Sequence, residues 1–587
     1  MASEASPLLH PPRRSSVSSS ASESVDESEI ISYVQHRRQS IASVGPENIP
    51  KSFSYPNHHH NVQQQPPPSP ASPRLLTRTT SNISTRSYSI YDIISQNKSL
   101  ITTAEPKTTT QQEIKVIFKY SLPLIITFLL QYSLTIASVF SVGKLGSVEL
   151  AAISLSSMTA NISGYAIIQG ISTCLDTLCA QAFGKKEYNL VGVHFIRCNY
   201  LLLLLCLPIC ALWIFGSYPL LLTLIGTSEG EESERMCLLA SRYLQILSIG
   251  IPGYILFENG KHFLQCQGIF HASTIVLCIC APLNALMNYL LVWDDSIGLG
   301  FIGAPISVVI TNWLMCIMLY GYIFFVNGYQ CWPSNKLWDK IYVTNWTKMI
   351  NLSIPGVMMI EAEWLAFEII TLEAAKFGTQ TLAAQSIIST TCVIFYQIPF
   401  ALSIAAGTRI AWYIGAAAKS SAITASYAVI YSSLFVGCLN CFCLFVFRGI
   451  FVRFYTKDPV VIELAIKVLV IGALYQINDA LSCATGGILR GQGRQMIGGL
   501  MNLIGYYVIA LPCAFVCAFM IGWELFGLWI GMLFALGFVS LSQLYFVLTS
   551  NWDDIISDCI EEGIVEDGNL NIEAHSLLPS MSNSIVV

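Results

Sequence analysis

The stretch SIPGVMMIEAEWLAFEIITLEA, residues 353–374, decides how this chain is read. It is long and apolar enough to cross a bilayer, yet its middle carries Glu361, Glu363 and Glu368. A charged side chain at the centre of a membrane helix costs about 2.5–3.5 kcal/mol on insertion scales. Three in one span would not be tolerated against lipid, so they are expected to face a protein interior or a wet cavity. The bland alternative is that the acids only hydrogen-bond helices together. Intramembrane ionisable groups are functional candidates by default, so this span is read as the working part of a protein that moves solutes or protons.

The rest of the chain fits a membrane setting. Of its 587 residues 53% are hydrophobic and 11% charged, where a soluble domain carries about 25% charged residues. Apolar runs long enough to span occur at roughly 117–141, 150–175, 194–216, 236–257, 273–293, 303–326, 348–374, 384–407, 422–447, 462–485, 497–520 and 526–549. The expectation is an all-α membrane protein of twelve transmembrane helices. The nineteen cysteines lie mostly inside these runs, where Cys behaves as a small apolar residue. No metal site, disulfide framework or cofactor is read from them. The GK[ST] ending of a phosphate-binding loop is missing, so direct ATP drive is not expected, nor is enzymatic activity or nucleic-acid binding.

Residues 1–112 are a different material, rich in Ser, Pro, Gln, Thr and His, with PPPSP at 66–70 and His58-His59-His60. Such a segment cannot bury enough surface to fold alone and is expected to be disordered. Arg13-Arg14-Ser15-Ser16 and Arg37-Arg38-Gln39-Ser40 have the form of sites for kinases that read Arg before Ser. An ExxxLL pattern occurs in each tail, on Glu4, Leu8 and Leu9 and on Glu573, Leu577 and Leu578. Each resembles the acidic dileucine signal by which adaptor complexes sort membrane cargo to vacuoles or lysosomes. Both tails must then be cytosolic, which twelve spans allow. Lys185, Lys186, Arg197, Lys261, Lys336, Lys340, Lys348, Arg409, Lys419, Arg490 and Arg494 then fall in inner loops, following the positive-inside bias. The vacuolar membrane is favoured and the plasma membrane is the alternative.

The chain also repeats itself. Ser121-Leu122-Pro123 returns as Ser353-Ile354-Pro355, and Leu150-Ala151-Ala152 as Leu382-Ala383-Ala384, at one offset of 232 residues. Leu264-Gln265-Cys266-Gln267-Gly268 parallels Leu489-Arg490-Gly491-Gln492-Gly493 at 225. Two six-helix lobes are inferred, at 113–330 and 348–550, with a cytosolic connector at 331–347 and a C-terminal tail at 551–587. An even number of helices per repeat gives both lobes the same orientation, the parallel-repeat plan of rocking transporters.

Buried charge concentrates in the second lobe, where Asp479 joins the three glutamates. At 1.5 Å per residue, Glu363 lies roughly 15 Å beyond position 353 and Asp479 roughly 18 Å beyond Lys467 on a helix running the other way. These depths let the carboxylates share one cavity. Glu361 and Glu368, seven apart, lie on one helix face, whereas Glu363 and Glu368 diverge by roughly 140° unless the helix is unwound. Clustered carboxylates in low dielectric cannot all ionise. A site that takes a proton on one side of a membrane and gives it up on the other is what proton coupling needs. The same cavity suits an organic cation, with Trp364 and Phe367 offering aromatic faces or serving as ordinary packing. Asn161, mid-span, can hydrogen-bond across helices, and Asp176 near the inner end of span two is read as structural or gating.

From about 113 to 550 the chain resembles the multidrug and toxic compound extrusion (MATE) family, in its eukaryotic, fungal-type branch. The segments that carry the resemblance are LDTLCAQAFG at 175–184, FLQCQGI at 263–269, EWLAFE at 363–368, ALSCATGGILRGQGRQ at 480–495 and NLIGYY at 502–507. The resemblance implies two lobes in a V and an antiporter, with the monomer as its transport unit, that exchanges organic cations or other amphipathic solutes for protons by alternating access. The family's EWW-x-[FY]-E motif falls on Glu363 and Glu368, with Leu365 in place of the second Trp, and its span-ten acid falls on Asp479. Asn161 and Asp176 match family positions in span two, and Tyr506 and Tyr507 close the last segment as cavity residues. Ser138 stands where bacterial relatives often carry an Asp, which places coupling in the second lobe. Glu361 is outside the motif. Two other functions compete: a lipid or lipid-linked sugar flippase of the same architecture, against which the acids argue, and a non-transporting scaffold, which leaves the acids without a role.

Overall fold

The computed structural model describes residues 107–143, 145–225, 231–294, 298–334 and 336–563, nearly all of them helical. Both dileucine patterns, the Arg-Ser patterns and the His triplet lie outside the described residues. The expected boundary at 112/113 moves slightly, because the first helix begins at Thr110.

Twelve long helices follow one another: α1 Thr110–Val142, α2 Ser147–Gly184, α3 Tyr188–Thr223, α4 Glu232–Cys266, α5 His271–Trp293, α6 Gly300–Phe325, α7 Thr347–Ala375, α8 Thr379–Gly415, α9 Lys419–Tyr455, α10 Pro459–Gly491, α11 Gln495–Met520 and α12 Glu524–Leu548. Eleven are long and apolar enough to cross a membrane. The twelfth, α7, is set apart by its acids. A short helix at 552–563, α13, ends the described chain. Thr109 starts α1 with a reciprocal cap: its hydroxyl accepts from the Gln112 N–H at 3.4 Å and its own N–H donates to the Gln112 side chain at 3.2 Å. At α10, the Asp458 carboxylate accepts from the Val460 N–H at 2.9 Å, and Pro459 sits where a missing N–H costs nothing.

Several helices outrun their apolar segments. The apolar run in α8 ends near 407, but the helix continues to Gly415, and every residue from Ala405 to Gly415 is buried. Protein, not lipid, covers that extension. For the same reason Arg197, Lys261, Arg409 and Arg490, expected in loops, lie inside helices and are buried. Arg409 pairs with Glu113 and Lys261 with Glu258.

The internal repeat is visible in the turns. Between α2 and α3 the chain reverses at Lys186 (φ 61°), and between α8 and α9 at Ala417 (φ 53°). The α4–α5 and α10–α11 turns reverse at Gly268 (φ 80°) and Gly493 (φ 73°), the left-handed conformation that glycine adopts without strain. All four turns lie at one end of the bundle, together with the α6–α7 connector and α13. This is the connector end.

The extensive contacts between the lobes lie in the half nearer that end. Here α2 crosses α7 and α8 at backbone distance. A Cβ on Gly170 would lie 2.4 Å from the Val357 Cα, and one on Gly356 2.3 Å from the Gly170 carbonyl oxygen. A Cβ on Gly184 would lie 2.3 Å from the Trp412 carbonyl oxygen, and one on Gly415 2.2 Å from that of Gln181. Side chains finish the join: Gln181 donates to the Gly491 carbonyl at 3.2 Å, and the Trp412 indole donates to that of Cys266 at 2.8 Å. Helix α13 lies over it, burying Ile555, Ile556, Cys559 and Ile560 and tied by Lys419–Asp553 and Lys348–Glu562 pairs at 2.6 Å. Farther along, α1 and α8 keep Tyr132 beside Thr390.

Candidate functional site

Helix α7 is α-helical throughout, with Pro355 in its first third and no unwound turn. The divergence of Glu363 from Glu368 therefore stands. The four acids do not form one cluster. Glu363 faces the interior of the second lobe, where α8, α10 and α11 bring Tyr396, Tyr475, Asp479, Cys483 and Tyr506 around it. Asp479 is 2% exposed and lies within direct electrostatic reach of Glu363. Glu363 is enclosed by these groups yet keeps some accessible surface, as a residue on a cavity wall does. Glu361 and Glu368 lie on the other face, and Glu361 is beside Tyr507. One carboxylate oxygen of Glu361 is buried without a hydrogen-bond partner.

Two polar networks hold this part of α7 in place. Toward the connector end, Asn502 donates to the Met359 carbonyl at 2.9 Å and accepts from Gln543 at 2.9 Å. Gln543 in turn accepts from Thr485 at 2.9 Å, so α7, α10, α11 and α12 share one chain of bonds. Toward the opposite end, the Trp529 indole donates to Gln385 at 2.8 Å, and Gln385 donates to Thr371 at 3.2 Å. Between them, the hydroxyls of Tyr475 and Tyr506 are buried near Glu363 and Asp479 but outside standard hydrogen-bonding geometry. Tyr506 and Tyr507 sit in a π-helical stretch, Ile504–Ala510. Such a stretch adds a residue per turn and re-aims the side chains. Asn161 opens a second one, Asn161–Tyr165 in α2, which abuts α7.

The aromatic expectation divides. Phe367 packs its edge against Tyr475 and Trp529, at 6.1 and 6.2 Å between centroids, and so belongs to the wall behind Glu363. Trp364 is half-buried beside it on the helix surface.

Asp176 is in a charged cluster that sequence spacing does not show. Its Oδ1 lies 2.6 Å from His262 Nδ1 in α4, and its Oδ2 lies 4.0 Å from Arg490 Nε in the other lobe. Glu258 Oε1 completes the cluster, 2.7 Å from Lys261 Nζ and 3.7 Å from His262 Nε2. A second buried charge contact crosses the lobes between Glu113 and Arg409. The sequence signs are charge near the ends of long apolar runs and the i, i+3, i+4 spacing of Glu258, Lys261 and His262; the contacts across helices leave none. Among the described residues no group of three or more His, Cys, Asp or Glu side chains is arranged so that it could hold a metal ion.

This geometry can be set beside known proteins. The family model described as MatE matches residues 123–290 and 355–516. An uncharacterized transporter of Saccharomyces cerevisiae is 42% identical over 80% of this chain and 66% of its own length. An uncharacterized transporter of Schizosaccharomyces pombe is 39% identical over 76% of this chain and 81% of its own. Human multidrug and toxin extrusion protein 1 is 28% identical, covering 80% of both. The crystal structure of the eukaryotic MATE transporter AtDTX14 superposes with a TM-score of 0.71 at 25% identity, over 77% of this chain and 99% of that one. The chain belongs to the MATE family of transporters.

Proposed function

We propose that the protein is a proton-coupled antiporter of organic cations or other amphipathic solutes, working by alternating access. The observation that carries this reading is the placement of Glu363 beside Asp479, walled by three tyrosines. Two carboxylates within direct electrostatic reach of each other in low-dielectric surroundings cannot both hold a charge without a compensating cation. A proton or an organic cation can supply it, and competition between them is antiport. Binding the cation releases a proton from the pair, and rebinding a proton releases the cation.

The direction of exchange follows from the join between the lobes. If the connector end is cytosolic, as the basic residues Lys186, Lys336, Lys340, Lys419 and Arg494 in its loops support, this conformation is closed to the cytosol. Glu363 lies seven residues, about 10 Å, beyond Gly356 on the far side of the seal. Protons from an acidic lumen or exterior then reach the pair and discharge the solute there. Asp176, poised between His262 and Arg490, acts in the gate. The paired dileucine patterns, Glu4, Leu8, Leu9 and Glu573, Leu577, Leu578, favour adaptor-mediated delivery to a vacuolar membrane over the plasma membrane.

The test uses purified protein in liposomes with an acidic interior. Organic cations added outside are expected to dissipate the pH gradient with wild type and not with Glu363→Gln. Folded wild-type protein that leaves the gradient intact across a broad cation panel would overturn the reading and favour lipid flipping.

A further inference from the structure

The connector between α6 and α7 does more than join the lobes. It folds back along the first three turns of α3. The Asn189 side chain accepts from the Ser334 N–H at 3.0 Å, Arg197 donates from Nε to the Ile341 carbonyl at 2.9 Å, and the Tyr200 hydroxyl donates to the Leu337 carbonyl. A Cβ on Gly192 would lie 2.4 Å from the Cys331 carbonyl oxygen, so the contact is close along its whole length.

The composition of α3 changes at Tyr200. Before it, His194, Arg197 and Asn199 are buried by protein. After it comes the apolar run from Leu201, with Leu204, Leu207 and Phe215 exposed as lipid-facing side chains are. From Leu201 to the end of α3 at Thr223 is about 33 Å at 1.5 Å per residue, enough for a hydrocarbon core of about 30 Å. Tyr200 therefore marks the boundary of the hydrocarbon, and its bond to Leu337 brings the connector back down to that level.

At that level the connector exposes Lys336, Leu337, Trp338 and Lys340. Trp338 is 94% exposed. Six residues earlier Trp332 is used quite differently, packed against Phe324 at 4.8 Å and against Phe195 at 6.1 Å. An indole held outward at the water–hydrocarbon boundary is what membrane-interface belts contain. Lysines on either side match the anionic phosphates of the headgroup layer, and Asp339, the one acid in the segment, is half-buried and turned toward Tyr342.

We propose that residues 336–340 form an interfacial anchor, with Trp338 seated among the headgroups and Lys336 and Lys340 on anionic lipid phosphates. The anchor ties the connector to the first lobe and the bilayer together, immediately before the chain enters α7. The second lobe then moves against a fixed point.

The test compares wild type with Trp338→Phe in bilayers, using the difference in emission as the signal of Trp338. Because the side chain is exposed, the variant is expected to fold. The difference signal should be lost in lipids brominated near the carbonyl region and should resist aqueous acrylamide. A signal quenched by acrylamide and untouched by bromine would overturn the proposal and place the segment in water, open to a soluble partner. The charge component is read by replacing phosphatidylcholine with phosphatidylserine. A blue shift of the signal that disappears in Lys336→Gln/Lys340→Gln supports it, and the same spectrum in both lipids overturns it.

Discussion

Glu113 and Arg409 meet across the two lobes as a two-pronged buried pair, with Nη2 2.6 Å from Oε1 and Nε 3.1 Å from Oε2. Tyr413 donates to the same carboxylate at 2.7 Å. Removing one member strands the other charge, a change that costs about 3–5 kcal/mol in a buried setting. Arg409→Leu is therefore expected to lower the unfolding temperature in detergent markedly. Replacing both members by apolar residues should restore much of the loss, since the stranded charge is then gone. A double variant no better than the single one would show that the pair is not the source of the effect.

The two faces of α7 should separate in function. Glu363→Gln and Asp479→Asn are expected to reduce cation-driven dissipation of a pH gradient to background, with unchanged folding. Glu361→Gln is expected to keep most of it, because Glu361 lies with Tyr507, away from the Glu363–Asp479 pair. Equal loss in all three would mean that the acids act as one cluster after all.

The glycine crossing at Gly170 and Gly356 should respond to a single methyl group. With only 2.3 Å available to a new Cβ, Gly356→Ala forces the lobes apart at a cost of about 1–3 kcal/mol. Distances between spin labels on the α2–α3 and α8–α9 turns are expected to broaden toward longer values. An unchanged distribution would place the hinge of the two lobes elsewhere.

Asn502 offers a test of how α7 is held. Asn502→Ala leaves the Met359 carbonyl and the Gln543 amide without a shared partner, a penalty of about 1–3 kcal/mol where such groups are buried. Exchange should weaken more than stability alone explains, and Asn502→Gln, which keeps the amide, should recover part of it. Full exchange in the alanine variant would leave Glu363 held by other means.

The sequence was most legible where lipid dictates it. Apolar length fixes the helices, and three glutamates in one span single out α7. The turn glycines Gly268 and Gly493 reveal the repeat. What could not be read is what protein, rather than lipid, covers. The last turns of α8 look like a loop because Arg409 and Gly415 interrupt the apolar run, yet both are buried against the other lobe. Glu258, Lys261 and His262 stand at the i, i+3, i+4 spacing of one helix face, but their junction with Asp176 and Arg490 is not readable, since those two come from distant helices. The separation of Glu361 from Glu363 follows from the helical period, whereas depth alone puts them at one level.

The join at the connector end has one more property. Gln181 and Gly184 correspond to Trp412 and Gly415 at an offset of 231 residues, and Cys266 corresponds to Gly491 at 225. Gly184 rests on the Trp412 backbone while Gly415 rests on that of Gln181. Gln181 reaches the Gly491 carbonyl just as Trp412 reaches that of Cys266. Each contact is thus made twice, with the roles exchanged, which is the signature of an isologous interface between identical subunits. Within one polypeptide, these contacts are built as a homodimer would build them, about a local pseudo-twofold axis, and substitutions there act on matched halves of a single surface.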